Sequence, residues 1–283
     1  MMEPPVTKSP KLKNIRQRTL AWFIISLILF IGLFTGAYMI GDSGLETQFS
    51  IRNQAPSWSH PFGTDWLGRD MLTRTLKGLC ISLGIGMTAA LCSTVISLVL
   101  GTAAAVMGKK TDRVVTAIID VIIATPHLVL LILISFCFGG GAKGVIIAVA
   151  LSHWTRLARI IRAEILALKS SDYVLLSSKL GKSRLWIACH HMLPGLLPQF
   201  LVGVLLLFPH AILHAAGLTF LGFGLSPHTP AIGILLSEAM QHLSTGYWWL
   251  ALGPGLSLVA MVKLFDIMGN SLRTMVNPKT AQE

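Results

Sequence analysis

Long stretches of this sequence contain no charged residue, and this absence limits the possible folds more than any other feature. No Asp, Glu, Lys or Arg lies between Leu20 and Ile40, between Leu79 and Gly108, or between Leu185 and Ser237. About 20 apolar residues are enough for a helix to cross a bilayer. Charged residues form 12% of the chain, against about 25% in an average soluble protein. The composition therefore excludes an ordinary soluble protein and predicts a bundle of membrane-spanning helices.

Six segments of the chain are predicted to span the membrane. Segment 20–40 follows a basic stretch, but it exceeds the ~7–15 residues of a signal-peptide apolar region, so we interpret it as an uncleaved span. Segment 79–108 is rich in Gly, Ala and Ser, which let helices approach closely in lipid, and we expect it inside the bundle. Pro126 is expected to kink the third span. The predicted spans are 20–40, 79–108, 114–138, 145–168, 195–217 and 248–270.

The Lys and Arg residues predict which side of the membrane each connection faces. Six spans place both termini on one side, and 18 of the 23 Lys and Arg residues fall on that side. Cytoplasmic loops are enriched in these residues, so both termini are predicted to be cytoplasmic, and no nucleic-acid partner is needed to explain the net charge of +11. The predicted organisation is a cytoplasmic tail over 1–19, a first transmembrane helix over 20–40, an external segment over 41–78, a transmembrane core over 79–270 and a cytoplasmic tail over 271–283.

The sequence lacks the motifs of an enzyme or a nucleotide-binding protein. Gly181-Lys182-Ser183 matches the end of a P-loop, but Leu176 occupies the position where that motif has its first glycine. The four cysteines include no C-x-x-C pair, which argues against a zinc site or a disulfide framework. We therefore predict that the chain binds no cofactor and has no catalytic residue.

Three ionisable residues in the predicted spans are candidates for the transport pathway. His210 and His214 lie four residues apart, so they share a helix face, and imidazoles at this spacing can bind a metal. The alternative is packing or hydrogen bonding between subunits, and no metal ligand is firmly assigned. His153 and His228 lie in other segments. Asp120 lies near the cytoplasmic end of its span, where either a structural hydrogen bond or a gating role is possible.

The basic segment 169–193 carries the first resemblance to a known family. It is predicted to form two short helices around a turn, and it resembles the cytoplasmic "EAA" loop of ABC importer permeases. The resemblance implies a coupling helix that docks into a groove of an ATPase subunit. The family's Glu-Ala-Ala falls on Leu175-Leu176-Ser177, so its acidic residue is missing here. The residues that this resemblance assigns to coupling are Tyr173, Leu175, Leu176, Ser177, Gly181, Leu193 and Pro194.

Further motifs narrow the resemblance to one branch. Segment 60–70 is similar to the H-P-L-G-T-D-x-x-G-R-D signature of dipeptide, oligopeptide and nickel permeases. Segments 218–238 and 265–278 resemble later signatures of these proteins, with Asn270 and Asn277 where Asp is usual. The first signature is expected to form an external turn that either caps the bundle or contacts a substrate-binding protein. Its key residues are Gly63, Asp65, Gly68, Arg69 and Asp70.

The resemblance implies a fold and a set of partners. It implies an all-α membrane protein, the transmembrane domain of a type I ABC importer, with six transmembrane helices and a cytoplasmic coupling helix in a bacterial inner membrane. The implied partners are a second homologous permease, two ATPase subunits that use ATP, an extracytoplasmic substrate-binding protein and membrane lipid. Ser152-His153-Trp154 and the segment 210–217 are closer to the nickel branch. Nickel, free or chelated, is therefore the expected substrate, and peptides are the alternative. A secondary transporter and a membrane scaffold remain less favoured possibilities.

Overall fold

The structure is a computed structural model that describes residues 15–276, with side chains over 18–275. Within this range the chain consists of helices and loops and contains no β-strand. The ten α-helices of the described residues are α1 Ile15–Met39, α2 Met71–Val106, α3 Lys109–Ala124, α4 His127–Cys137, α5 Gly141–Leu168, α6 Asp172–Lys179, α7 Arg184–Ile187, α8 Leu197–Phe220, α9 Ile232–His242 and α10 Trp249–Val276.

The helices account for the predicted spans, with one difference. Among the described residues, α1, α2, α5, α8 and α10 are each long and apolar enough to cross a membrane. The predicted span 114–138 is divided into α3 and α4, which are bent by 106° at the break between them. Pro126 therefore breaks the helix instead of kinking it. Thr125 is extended, with φ −82° and ψ 136°, because the residue before a proline is sterically disfavoured in the helical conformation. The total is six spans if this bent pair counts as one.

The helix boundaries differ from the predicted spans at one further place. Helix α2 begins at Met71, so the end of the predicted external segment 41–78 is helical. Asp70 is the N-cap of α2, where its carboxylate accepts a hydrogen bond from the backbone N–H of Thr73. A loop over 221–231 connects α8 to the short helix α9.

The centre of the bundle is formed by α2, α5, α8 and α10. Phe208 of α8 and Phe265 of α10 are both buried, and their ring centroids lie 4.0 Å apart. Helix α1 lies at the periphery. Of its most apolar 18-residue stretch 11% is buried, whereas the corresponding share for α5 is 61%. Its main ring contact is that of Phe30 with Phe265, at 4.8 Å between centroids. A peripheral first span therefore packs against a central bundle.

Helices α2 and α5 approach closely because small residues line their contact. A Cβ atom added to Gly101 of α2 would lie 2.8 Å from the Ala158 carbonyl oxygen of α5. One turn earlier, the Ser97 hydroxyl donates a hydrogen bond to the Trp154 carbonyl at 2.9 Å. Small residues and hydroxyl hydrogen bonds are typical of helix contacts in lipid. The predicted inner position of segment 79–108 agrees with this packing.

We predict that Gly101→Ala lowers the stability of the bundle, whereas Gly84→Ala does not. The new methyl group at residue 101 meets the backbone of α5, and overpacking of this kind costs about 1–3 kcal/mol. Gly84 lies in the same helix with no atom within 4 Å of an added Cβ. The midpoint of thermal denaturation of each purified variant in detergent tests the prediction. Equal midpoints for the two variants would contradict the close approach of α2 and α5.

Candidate functional site

Asp65 organises the predicted external segment 41–78 through a buried charge network. Its side chain is fully buried and accepts hydrogen bonds from the backbone N–H groups of Leu67 and Arg69, both at 2.9 Å. The Arg69 Nε donates to it at 2.6 Å, and Arg74 of α2 donates at 2.8 Å. Arg74 also donates to Glu238 of α9 at 2.8 Å. The network therefore connects the external segment to α2 and α9.

The other signature residues support the same turn. The carboxylate of Asp70 caps α2 and lies 3.0 Å from the Nδ1 of His60. Gly63 and Gly68 have positive φ angles of 70° and 77°. A Cβ atom on Gly68 would lie 1.8 Å from the Gln48 carbonyl oxygen, so no other residue fits there without a shift of the backbone. These contacts support the structural alternative, a cap on the bundle, while a contact with a binding protein stays a prediction.

The segment predicted to couple to an ATPase forms a compact element at one end of the bundle. Helix α6 buries Val174 and exposes apolar side chains on its other side. The Ser177 hydroxyl lies 2.9 Å from the Nε2 of His191, and the rings of Tyr173 and His191 lie 5.8 Å apart. These contacts hold α6 against the chain that follows α7. The exposed apolar residues of α6 and of its C-cap, Leu180, are Tyr173, Leu175, Leu176 and Leu180.

A glycine turn separates α6 from α7, as the sequence predicts. Gly181 has φ 77°, and its backbone N–H donates to the Ser178 carbonyl at 3.1 Å. Ser183 then caps α7, and its hydroxyl accepts a hydrogen bond from the Trp186 N–H. Leu193 lies between a π-helical turn over Ala188–Met192 and a 3₁₀ turn over Pro194–Leu196, and this second turn leads directly into α8. The chain therefore runs from α7 into the start of α8 without an intervening loop.

Asp120 lies on an exposed face of α3 and pairs with a residue of α5. Its carboxylate accepts a hydrogen bond from Arg159 at 2.6 Å, and 61% of its side chain is exposed. Asp112 of the same helix pairs with Arg162 of α5 at 2.5 and 2.6 Å. Both contacts hold α3 against α5. The pairing supports the structural role for Asp120, and its gating role stays a prediction.

A cavity lined by both polar and apolar residues lies where the α3–α4 break meets α5 and α8. Its volume is about 400 Å³, and both predicted pathway histidines line it. Three histidine rings meet at its wall, with centroids 4.6–5.0 Å apart: those of His127, His153 and His214. His210 lines the cavity outside this three-histidine cluster, and His228 lies in an exposed loop. The cavity is also lined by Ile122, Ile123, Thr125, Ser152, Thr155, Arg156 and Leu207.

Sequence reasoning missed His127 as a candidate. It paired His210 with His214 by their spacing in one helix, whereas the structure clusters His214 with histidines from two other helices. The available signal was the Pro126-His127 pair, because a break inside an apolar segment exposes the next turn to the bundle interior. The position of His153 one helix away could not be derived from spacing.

Comparison with known proteins gives a consistent set of similarities. The family model described as "Binding-protein-dependent transport system inner membrane component" matches residues 97–282. Dipeptide transport system permease protein DppC of Bacillus subtilis (strain 168) is 31% identical over 260 residues, which covers 92% of this chain and 81% of the relative. Nickel transport system permease protein NikC of Escherichia coli (strain K12) is 31% identical over 268 residues, which covers 93% of this chain and 95% of the relative.

A solved structure is similar in fold. The structure described as the inward-facing conformation of the MetNI methionine ABC transporter aligns with a TM-score of 0.59 at 19% identity. The alignment covers 73% of this chain and 98% of that chain. At this identity the match shows the fold, which is that of a type I ABC importer transmembrane domain, as the sequence predicts.

We predict that Asp65→Ala destabilises the protein strongly, whereas Asp42→Ala has no resolvable effect. Removal of Asp65 leaves Arg74 buried with one carboxylate fewer, and breaking a buried ion pair costs about 3–5 kcal/mol. The Asp42 side chain is 77% exposed, although it pairs with Lys77 at 2.8 Å, and surface pairs contribute little. Thermal denaturation of the two purified variants measures the difference. Equal midpoints would contradict a stabilising role for the Asp65 network.

Proposed function

Since this chain belongs to the family of binding-protein-dependent transport system inner membrane components, we propose how it performs the role of an importer permease. The chain is a multi-pass membrane permease component of an ABC importer. We propose that it pairs with a second homologous permease and that two ATPase subunits dock on the cytoplasmic side of this pair. An extracytoplasmic binding protein hands over the substrate, and both termini lie in the cytoplasm.

The exposed apolar surface of α6 is the observation that carries this proposal. Leu175, Leu176 and Leu180 are 49%, 58% and 71% exposed, in a segment whose basic residues place it outside lipid. Large apolar side chains grouped on a surface mark a protein contact. A groove of an ATPase subunit is the partner that the position and the family support. The leucine at position 175 replaces the family's usual acidic residue, so docking here relies on apolar burial.

Packing beneath α6 provides a route by which docking could move the bundle. Val174 and Ile187 are buried against Ile161 and Ile165 of α5 and against the end of α2. The Lys169 ammonium also donates a hydrogen bond to the Ala105 carbonyl of α2. Closure of the ATPase dimer on ATP binding would displace α6 and α7 together with these helix ends. The cavity would then open outward to the binding protein, and hydrolysis would reset it.

The histidine-lined cavity favours nickel over peptides as the substrate. Imidazole nitrogen is a preferred ligand of nickel, and four histidines line the cavity. Peptide import stays the alternative, because relatives named for dipeptide transport are as similar as those named for nickel transport. Transport through the chain alone, as in a secondary transporter, would not need the exposed surface of α6.

We predict that Gly181→Pro leaves the protein in the membrane and abolishes substrate-stimulated ATP hydrolysis and uptake. Proline cannot adopt the φ of 77° at this position and removes the hydrogen bond to Ser178. The matched control is Gly246→Pro in the loop before α10. Gly246 has φ 89° and donates an equivalent bond to Leu243 at 3.1 Å, but it lies far from α6 along the chain. Both activities are measured on complexes in membrane vesicles.

The control separates coupling from general damage. Retained activity in the Gly246→Pro control, together with loss in the Gly181→Pro variant, supports docking through α6. Normal uptake by the Gly181→Pro variant, or equal losses in the two variants, would overturn the assignment of this segment.

We predict that cells lacking this gene take up less radiolabelled nickel at trace concentration, and that the intact gene restores uptake. Labelled dipeptide is measured in parallel in the same cells. Reduced nickel uptake with normal dipeptide uptake supports nickel as the substrate. A dipeptide deficit with normal nickel uptake would replace nickel with peptides and leave the importer function in place. Equal uptake of both by the two strains would overturn both substrates.

A further inference from the structure

We propose that His127, His153 and His214 form a binding site for a divalent transition-metal ion that arrives with a carboxylate-bearing ligand. This inference rests on the proposed function, because it treats the cavity as part of the transport pathway. It goes beyond that function by naming three ligands and the form of the cargo. Two of the three ligands, His127 and His153, lie outside the pair that sequence spacing selects.

The three imidazoles come from three different helices and converge on one point. His127 is the first residue of α4, His153 lies in the middle of α5, and His214 lies in α8. One nitrogen of each ring lies within 4.8 Å of the corresponding nitrogens of the other two. Metal–nitrogen bonds of about 2.0–2.1 Å in a tetrahedral site require nitrogens roughly 3.4 Å apart. Small rotations of the rings would close this difference.

The hydrogen bonds of the rings leave suitable nitrogens for a metal. The Nδ1 of His153 lies 3.0 Å from the Val149 carbonyl oxygen and 2.9 Å from the Ser152 hydroxyl. Because the carbonyl oxygen can only accept, we assign the proton to Nδ1, from which the hydroxyl can also accept. Its Nε2 then has a free lone pair, which is the usual arrangement of a metal-binding histidine. The Nε2 of His127 is buried and has no hydrogen-bond partner among the described residues. An unpartnered buried nitrogen is costly unless a ligand satisfies it.

The donor set selects the class of metal. No Asp or Glu is among the described residues that line the cavity. Mg²⁺ and Ca²⁺ prefer oxygen ligands, whereas Ni²⁺, Co²⁺, Zn²⁺ and Cu²⁺ accept imidazole. Three neutral imidazoles do not discriminate among these four ions. The ion that binds therefore depends on the coordination geometry and on which ion is available. The cavity itself leaves further coordination positions open to ligands that come with the ion.

Arg156 determines the form in which the ion enters. It lines the same cavity, one turn of α5 after His153, and it has no acidic partner among the described residues. A bare divalent ion would add two positive charges beside this guanidinium. A carboxylate on the ion's own ligand would offset that charge and could pair with Arg156 through two hydrogen bonds. The cavity therefore suits a metal complex with a carboxylate group better than a free ion.

The position of the cluster suggests how the cargo is released. His127 is attached to the break between α3 and α4, whereas His153 and His214 belong to the central bundle. An ion held by all three rings would join the broken helix to the bundle. Any movement of α4 relative to α5 would separate the ligands and weaken the site. The movement that changes access to the cavity would then also release the ion.

Metal binding by the full-length chain, purified with the subunits that accompany it in its membrane, tests the site directly. The affinity tag must contain no histidine or cysteine. Equilibrium dialysis with Ni²⁺ gives the stoichiometry and the Kd, and titration with Co²⁺ gives an absorption spectrum that reports nitrogen ligands. The single variants are His127→Gln, His153→Gln and His214→Gln, and the matched control is His228→Gln in the exposed loop. Size-exclusion chromatography confirms that each variant is assembled.

We expect each cluster variant to weaken Ni²⁺ binding at least about 10-fold, since even residues that only support a ligand contribute 10–100-fold. The control should bind as the unaltered protein does, and excess Mg²⁺ should not compete. His127→Gln is the most informative variant, because the Nε2 of His127 has no hydrogen bond to a described residue that the substitution could remove. An assembled protein without saturable Ni²⁺ binding, or equal affinities in all four variants, would overturn the site.

Citrate added to the Ni²⁺ titration tests the carboxylate. The nickel–citrate complex should bind more tightly than free Ni²⁺ to the unaltered protein, and Arg156→Gln should remove this advantage while Arg156→Lys keeps part of it. Equal binding of the two forms would overturn the role of Arg156. Peptide uptake by a protein that binds no metal would reject this site and leave the importer function standing. Normal uptake by the Gly181→Pro variant would instead reject the coupling assignment and leave metal binding unaffected.

Discussion

The close contact of α2 with α5 is the constraint on which the rest of the structure depends. Gly101 and Ser97 let the two backbones approach, so that a methyl group on Gly101 would meet the Ala158 carbonyl. Helix α2 begins at the Asp65 network, and its end is buried against α6 and α7. Helix α5 carries His153 and Arg156 into the cavity. One helix pair therefore connects the external cap, the cavity and the coupling surface.

Polar interactions are used differently at the two ends of this bundle. At the end that carries segment 41–78, the buried Asp65 is satisfied by four hydrogen bonds, which makes a rigid cap. At the other end, α3 and α5 are joined by pairs such as Asp120–Arg159 that remain partly exposed. Exposed pairs contribute little to stability because solvent screens them. The end that carries the proposed coupling helix is thus held by the weaker contacts.

The central break has the most direct bearing on function. A proline inside an apolar span leaves backbone groups without partners, and such a break is tolerated in a membrane only where protein or a polar cavity surrounds it. Here the break between α3 and α4 lies against the histidine-lined cavity. The proline that interrupts this apolar span therefore lies beside the cavity in which we propose that the substrate binds.

Composition and local motifs by themselves determined the fold class, the approximate spans and the turn at Gly181. These features depend on residues close together in the chain: uncharged runs must lie in lipid, and a glycine supplies a positive φ. Only the tertiary structure decided that Pro126 separates two helices by 106° and that His214 meets His127 and His153. Spacing along one helix cannot reveal such a cluster, because its members come from three helices. Their meeting depends on how α4, α5 and α8 pack, which no local pattern encodes.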